Sequence, residues 1–305
     1  MSNQLLSVED LKSLNIRSTS QGLIRWTFHL SVMAVSGYIW ATSLNSDHWF
    51  IAIPSVIIYG FSLAMMFAPL HESSHRTAFA NNQLSDAIAW LAGLLSFYNS
   101  TFYRQYHKWH HRYTQIQDRD PELSDRKPET IQEYLWEMSG IPWWIGKVKN
   151  HLRVAFGKVA DYEYIPETQR DQVIRSTRWQ LFVYAVAIAI SIGFRQPWFL
   201  VYWVFPLAVG QPILRFILLT EHTGCTNDAN GLTNTRTTLT LPILRYLMWN
   251  IPFHTEHHLY PSIPFYLLPA AHEKLRSQFT HIGSGYMNVN LEIIDQIQNR
   301  EQVAL

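Results

Sequence analysis

Residues 49–75 read WFIAIPSVIIYGFSLAMMFAPLHESSH, and this stretch decides what kind of fold the chain can adopt. Trp49–Leu70 carries no charged side chain. About 20 such residues suffice to cross a bilayer as a helix. The span then runs straight into His71-Glu72-Ser73-Ser74-His75, where two imidazoles four apart share one helical face.

Three further apolar segments repeat the theme. Gly22–Leu44 has Arg25 near its start and Trp26, Tyr38 and Trp40 near its ends, the positions interfacial side chains favour. The polar turn Asn45-Ser46-Asp47 joins it to Trp49–Leu70 as a hairpin. A second hairpin comprises Trp179–Phe194 and Trp198–Leu219, separated by Arg195-Gln196-Pro197. These segments predict an all-α integral membrane protein with four transmembrane helices, 22–44, 49–70, 179–194 and 198–219. A histidine-rich cap, 71–178 and 220–305, completes one domain over 1–305. Asp86–Tyr103 is apolar but shorter, and predicts an interfacial helix. Residues 112–178 are charged, with Asp118, Asp120, Glu122, Asp125, Arg126 and Lys127 close together, and predict a water-facing segment. Residues 223–240 form a polar loop. Pro242–Ile251 leads into His254, and Pro261, Pro264 and Pro269 stop the helix beyond His258. The polar tail 270–305 predicts helix.

Composition agrees. Charged residues are 15% of the chain against an average near 25%. A formal net charge of +1 gives no basic field, so nucleic acid is excluded as a partner. Cys225 is the only cysteine, which rules out an intramolecular disulfide and a thiolate metal cluster. The N-terminus lacks the features of a secretory signal. Lys and Arg number 14 between His71 and Arg178, whereas the two opposite turns hold only Arg195. By the positive-inside rule the cap, both termini and every histidine cluster are expected on the cytoplasmic side of a bacterial inner membrane.

The histidines carry the chemistry. His107-Lys108-Trp109-His110-His111 and His254-Thr255-Glu256-His257-His258 both place imidazoles at i, i+3 and i+4. With His71 and His75 these clusters hold eight of the chain's 14 histidines, and His222 follows Glu221 between the second and third. Buried neutral imidazoles each need a partner, and cationic ones repel; a metal satisfies them together. Nine imidazoles exceed the roughly four ligands of one zinc ion, so two metals are expected. Ligand type alone suits zinc, copper, iron and nickel. The ligand number and the lipid setting favour a pair of irons that activates O2 on an apolar substrate. His71-Glu72-Ser73-Ser74-His75 also matches H-E-x-x-H, in which Glu is the base of a zinc protease, but that reading leaves the other two clusters unexplained. Haem ligation predicts isolated histidines facing one another, not adjacent pairs. A non-catalytic metal-binding membrane protein is the remaining alternative.

The three clusters, their order and their placement after hairpins resemble the integral-membrane fatty acid desaturase and hydroxylase superfamily, bacterial type. Its boxes, H-x(3–4)-H, H-x(2–3)-H-H and (H/Q)-x(2–3)-H-H, match His71 and His75; His107, His110 and His111; and His254, His257 and His258. His222 matches a ninth ligand often found between the second and third boxes. Arg112-Tyr113-Thr114, Asp120-Pro121-Glu122, Asn234-Thr235-Arg236-Thr237 and His258-Leu259-Tyr260-Pro261 are also similar. The resemblance covers roughly residues 20–275. It implies a non-haem di-iron oxidoreductase that uses O2 to introduce a double bond into a lipid acyl chain. Hydroxylation, carotenoid ketolation or hydroxylation, and oxidative decarboxylation use the same boxes. Two departures stand out. Leu218 occupies the position, four before the ninth histidine, where animal acyl-CoA desaturases carry an Asn that helps hold one iron through water; Glu221 or water would substitute. The chain also lacks a fused cytochrome b5 and its His-Pro-Gly-Gly motif, so electrons are expected from a separate ferredoxin or flavin reductase.

The remaining polar residues have assigned expectations. Asp118, Asp120 and Glu122 cap helices or support the histidines from behind. Arg236 binds a lipid or carboxylate headgroup or orders its loop, and Arg215 snorkels or pairs with Glu221. His29, His48, His151, His272 and His281 are structural, His29 being notable for its place within a span.

Overall fold

The computed structural model describes residues 5–44, 48–124 and 127–303. The turn Asn45-Ser46-Asp47, and Asp125 and Arg126, lie outside these. The fold is almost wholly helical; among the described residues the strands are Thr237–Thr238 and Ile282–Gly283, paired in parallel.

After α1 (Val8–Leu14), helix α2 (Thr19–Ser43) opens with Ser18 accepting from the Gln21 amide. It forms a hairpin with α3 (Trp49–Ala64). A hitch at Met65–Met66 separates α3 from α4 (Phe67–Ser74). Pro69 explains it, because it has no N–H to bond the Met65 carbonyl, which accepts from Ala68 instead. The whole run Trp49–Ser74 is apolar enough to cross a membrane, as are α9 (Glu167–Gly193) and Leu200–Leu218, a π-helical turn leading into α10 (Phe205–Leu218). Among the described residues, three helices qualify by length and apolarity, beside the four spans expected. Helix α2 has 25 residues, enough for about 37 Å at 1.5 Å each, but Arg25, His29 and its hydroxyls dilute its apolar character. Exposed Phe50, Ile53, Ile57, Trp179, Phe182, Val186 and Ile190 give α3 and α9 the outward apolar surface expected of helices solvated by lipid. The protein is a membrane protein.

Helices α3 and α10 cross with their backbones in contact. A Cβ on Gly210 would lie 1.9 Å from the Gly60 carbonyl oxygen, and one on Gly60 2.1 Å from that of Pro206. Small residues permit this approach, which dispersion then rewards in a setting without a hydrophobic driving force.

The predicted interfacial helix 86–103 is two helices, α5 (Asn82–Ser96) and α6 (Ser100–Tyr113). Phe97 takes a left-handed conformation, φ 61°, and Asn99 restarts the chain by capping the Phe102 amide at 3.0 Å. Ser96, Asn99, Ser100 and Thr101 make the break locally polar, but the aromatic residues on either side let one helix be read across it.

The segment 112–178 is not uniformly water-facing. Helix α7 (Ile131–Met138) has a capping box between Thr130 and Glu133, and α8 (Ile141–Ala155) follows Gly140 at φ 71°. Ile141, Ile145, Val148 and Leu152 form one exposed apolar stripe on α8. Interleaved Lys147, Lys149 and Arg153 make the linear composition look polar. The rest follows expectation: α11 (Pro242–Leu247), α12 (His254–Leu259) ending before Pro261, α13 (Leu268–Leu275) and α14 (Tyr286–Val303).

Buried polar contacts lock α2 beneath the third histidine cluster. The Arg25 guanidinium lies 3.6 Å over the Tyr246 ring and donates to the Tyr246 carbonyl at 2.7 Å. His29, wholly buried, donates through Nε2 to Ser62 O at 2.9 Å and accepts from Trp249 Nε1 at 3.2 Å. Both ring nitrogens are satisfied, so His29 is structural.

Candidate metal centre

Four segments converge at one end of the apolar helices. Helix α4 supplies His71 and His75; α6 supplies His107, His110 and His111; the chain after α10 supplies His222; α12 supplies His254, His257 and His258. Nitrogens of His71, His75, His107, His111 and His257 all lie within 4.8 Å of one another. Those of His110, His222 and His258 form a second such group. His254 joins it through Nε2, 3.1 Å from His222 Nε2.

Four of the nine imidazoles are anchored through Nδ1, whereas Nδ1 of His107, His111, His254 and His257 is buried without a hydrogen bond. His71 Nδ1 donates to Glu72 Oε1 at 3.0 Å, His110 Nδ1 to Asp120 Oδ1 at 2.8 Å, and His222 Nδ1 to the Asn234 carbonyl at 2.9 Å. His258 Nδ1 meets Thr114 Oγ1 at 3.2 Å, and that hydroxyl donates to the His110 carbonyl. Each anchor holds the proton on Nδ1 and turns the Nε2 lone pair inward.

Inside, the nitrogens lack suitable partners. His71 Nε2, His75 Nε2 and His258 Nε2 are buried without a hydrogen bond. His111 Nε2 stands 3.0 Å from both His107 Nε2 and His257 Nε2. Around an ion with ~2.1 Å bonds, neighbouring ligands stand about 3.0–3.4 Å apart. The donor set therefore fits metal ions. Burial first, then the charge of neighbouring imidazoles, holds His107, His111, His254, His257 and His258 well below the usual histidine range. Burial and then His110 take His222 to about 3. Neutral imidazoles are the ligand form. His110 differs: burial lowers it, but Glu122 and Asp120 outweigh burial and raise it.

The supporting residues partly correct the sequence expectations. Asp120 is a support, also accepting from the Gln115 and Glu122 amides at 2.7 and 3.0 Å. Asp118 is not; it stands exposed at φ 63°, turned away by the loop that aims Asp120 inward. Arg236 is 6% exposed, unsuited to a headgroup. Its Nη1 donates to the Thr220 and Thr223 carbonyls and its amide to Glu221 O, strapping the backbone on both sides of His222. Glu221 Oε2 is 3.5 Å from His254 Nε2. Arg215 donates to the Tyr98 hydroxyl at 3.3 Å rather than pairing with Glu221, and Leu218 packs into the core.

Three contributors have no local sequence signal: Thr114, the Asn234 carbonyl, and the Glu256–His272 pair, in which Glu256 also accepts from Thr237 Oγ1 behind α12. Glu72 occupies the position of a protease base but bonds His71 Nδ1, away from the inward nitrogens, so the zinc-protease reading loses its base. Phe67, Tyr98 and Tyr103 pack with one another, and Phe67 and Tyr103 reach the rings of His71 and His107.

Residues 47–289 match the model of the fatty acid desaturase family. The chain belongs to that family. It is thus an oxidoreductase of the desaturase type in a lipid setting. It is similar to three proteins each named sn-1 oleoyl-lipid 12-desaturase. That of a Picosynechococcus species is 26% identical over 82% of this chain and 76% of its own length. Those of Arthrospira platensis and Anabaena variabilis are 24% and 23% identical, over 72% and 84% of this chain and 67% and 64% of their own lengths. The histidines of the three clusters noted in the sequence, apart from His254, lie in the two nitrogen groups.

Proposed function

We propose that this desaturase-family protein binds two irons through the nine histidines and uses O2 to introduce a double bond into an acyl chain of a membrane lipid. The observation that carries the proposal is the pair of imidazole groups, whose inward nitrogens meet one another or no partner at all, at the end of membrane-crossing helices. The names of these relatives support a lipid-linked acyl substrate. When bound, the irons supply the power to activate O2 and oxidise an unactivated C–H bond. The balance is one acyl chain, O2, two electrons and two protons giving one alkene and two waters. The electrons come from a separate ferredoxin or flavin reductase.

The chain's own residues set the conditions. Asp120, Glu72, Thr114 and the Asn234 carbonyl orient imidazoles. Phe67, Tyr98 and Tyr103 pack as an apolar wall beside the rings of His71 and His107, surroundings that suit an acyl chain and exclude water. Desaturation is preferred to hydroxylation because such a wall restrains the chain, so that a second hydrogen is lost before oxygen is transferred.

A host expressing the protein with a reductase should accumulate acyl chains lighter by two hydrogens, and only in the presence of O2. Chains gaining an oxygen, or shortened by their carboxyl carbon, would replace desaturation with another outcome. The 14-to-one charge asymmetry further supports a cytoplasmic centre. Reporter fusions within 140–170 should report the cytoplasm and one after Gln196 the opposite side; the reverse would overturn the orientation.

A further inference from the structure

The two nitrogen groups are unequal. The first gathers five imidazoles within 4.8 Å, the second only three, with His254 attached to one member. Two carboxylates stand against this poorer group. Glu122 Oε2 lies 3.5 Å from His110 Nε2, and Glu221 Oε2 lies 3.5 Å from His254 Nε2. His110 Nδ1 is already occupied by Asp120, so Glu122 addresses the nitrogen that faces the cluster. Likewise, Glu221 addresses the nitrogen of His254 that faces His222.

We propose that Glu122 and Glu221 are ligands of the metal ion in the second group, giving one all-nitrogen site and one mixed nitrogen–oxygen site. This rests on the two-iron reading above. Separations of 3.5 Å are long for hydrogen bonds. They fall between the roughly 3.0 Å of adjacent and the roughly 4.2 Å of opposite ligands when six surround one ion at ~2.1 Å.

The local structure is built to deliver both groups. Asp120 orients His110 through one oxygen and caps the following turn, accepting from the Glu122 amide at 3.0 Å. One Asp-Pro-Glu turn therefore anchors a histidine from behind and presents a carboxylate to its inner nitrogen. On the opposite side, Arg236 fixes the backbone around Glu221 and His222 with three hydrogen bonds. Charge compensation also favours anions here. Nine neutral imidazoles bring no charge to two buried cations, and carboxylate oxygen is a harder donor than imidazole. Glu122 and Glu221 would place two negative charges at the ion with the fewest nitrogens.

The test uses the full-length protein in detergent or nanodiscs, stripped of metal and reloaded anaerobically with 57Fe(II). Wild type should take up two irons, giving two Mössbauer doublets of equal area. The double variant Glu122→Gln/Glu221→Gln should retain about one iron and lose one doublet, while Glu163→Gln, at an exposed position, should retain both. A double variant that keeps two irons and both doublets would overturn the proposal and leave the two-iron reading intact. A wild type that takes up no iron would overturn that reading and the proposal with it. Infrared difference spectra of wild type before and after Fe(II) loading cover the case in which the variant fails to fold. Metal binding should shift carboxylate stretching bands, and a difference spectrum with imidazole bands alone would contradict carboxylate ligation.

Discussion

His111→Ala should empty the five-imidazole group and take O2-dependent product formation down by about 100-fold or more, since even outer supports of a metal site are worth 10–100-fold. His111 is the best-connected imidazole. Its Nε2 lies 3.0 Å from both His107 Nε2 and His257 Nε2. Its ring also stacks on His258 at 4.3 Å, joining the first group to the second. Removing it leaves buried nitrogens facing a void, with no local donor to replace it. The contrasting variant is His151→Ala. His151 is buried too, more fully than His111, but it stacks on Phe97 at 4.6 Å and bonds the Lys147 carbonyl at 2.8 Å. Its loss leaves a cavity costing about 2–4 kcal/mol and should leave iron content unchanged. Iron per chain, measured with product yield on both variants, checks the assignment. Full iron in His111→Ala would contradict it.

Gly210→Leu should prevent folding of the membrane-crossing core. Its first side-chain atom would lie 1.9 Å from the Gly60 carbonyl oxygen. A backbone carbonyl at a helix crossing cannot rotate away as a flexible side chain can, so α3 and α10 would have to separate along their contact. The cost should exceed about 3 kcal/mol, the upper part of the usual range for overpacking. The signature is loss of the monodisperse peak on size-exclusion chromatography in mild detergent. Gly146→Ala is the control: nothing lies within 4 Å of its Cβ, and alanine favours the interior of α8. A folded Gly210→Leu protein would show that the helices do not meet at this point.

The sequence displays features that repeat along one chain direction, and hides those made by distant parts of it. The histidine pairs at i, i+3 and i+4 are visible because helix geometry alone puts them on one face. The apolar runs are visible because lipid imposes length and composition together. The break at Phe97 is hidden because it depends on one left-handed residue and an Asn99 cap, and a short polar patch looks the same inside a helix or between two. The stripe on α8 is hidden by basic residues between its apolar ones. Asp118 and Asp120 look alike in sequence, yet a left-handed turn at Asp118 sends only Asp120 to His110. Arg236 looks like an anion binder until the carbonyls of Thr220 and Thr223 come to meet it. The partition of the histidines is likewise tertiary. His110 and His111 are adjacent in sequence but serve different groups, because neighbouring helix positions point about 100° apart.

The central claim is that the protein, with irons held by its two imidazole groups, removes two hydrogens from an acyl chain. The most direct measurement follows those hydrogens. Membranes containing the protein would be given a perdeuterated acyl lipid, an electron donor and 18O2, and the lipid product weighed by mass spectrometry. The account predicts a product that has lost two deuterium atoms from adjacent carbons and contains no 18O, formed only with O2 and absent from His111→Ala. A product that keeps all but one deuterium and carries 18O, or an acyl chain left unchanged by iron-loaded protein with a working donor, would contradict it.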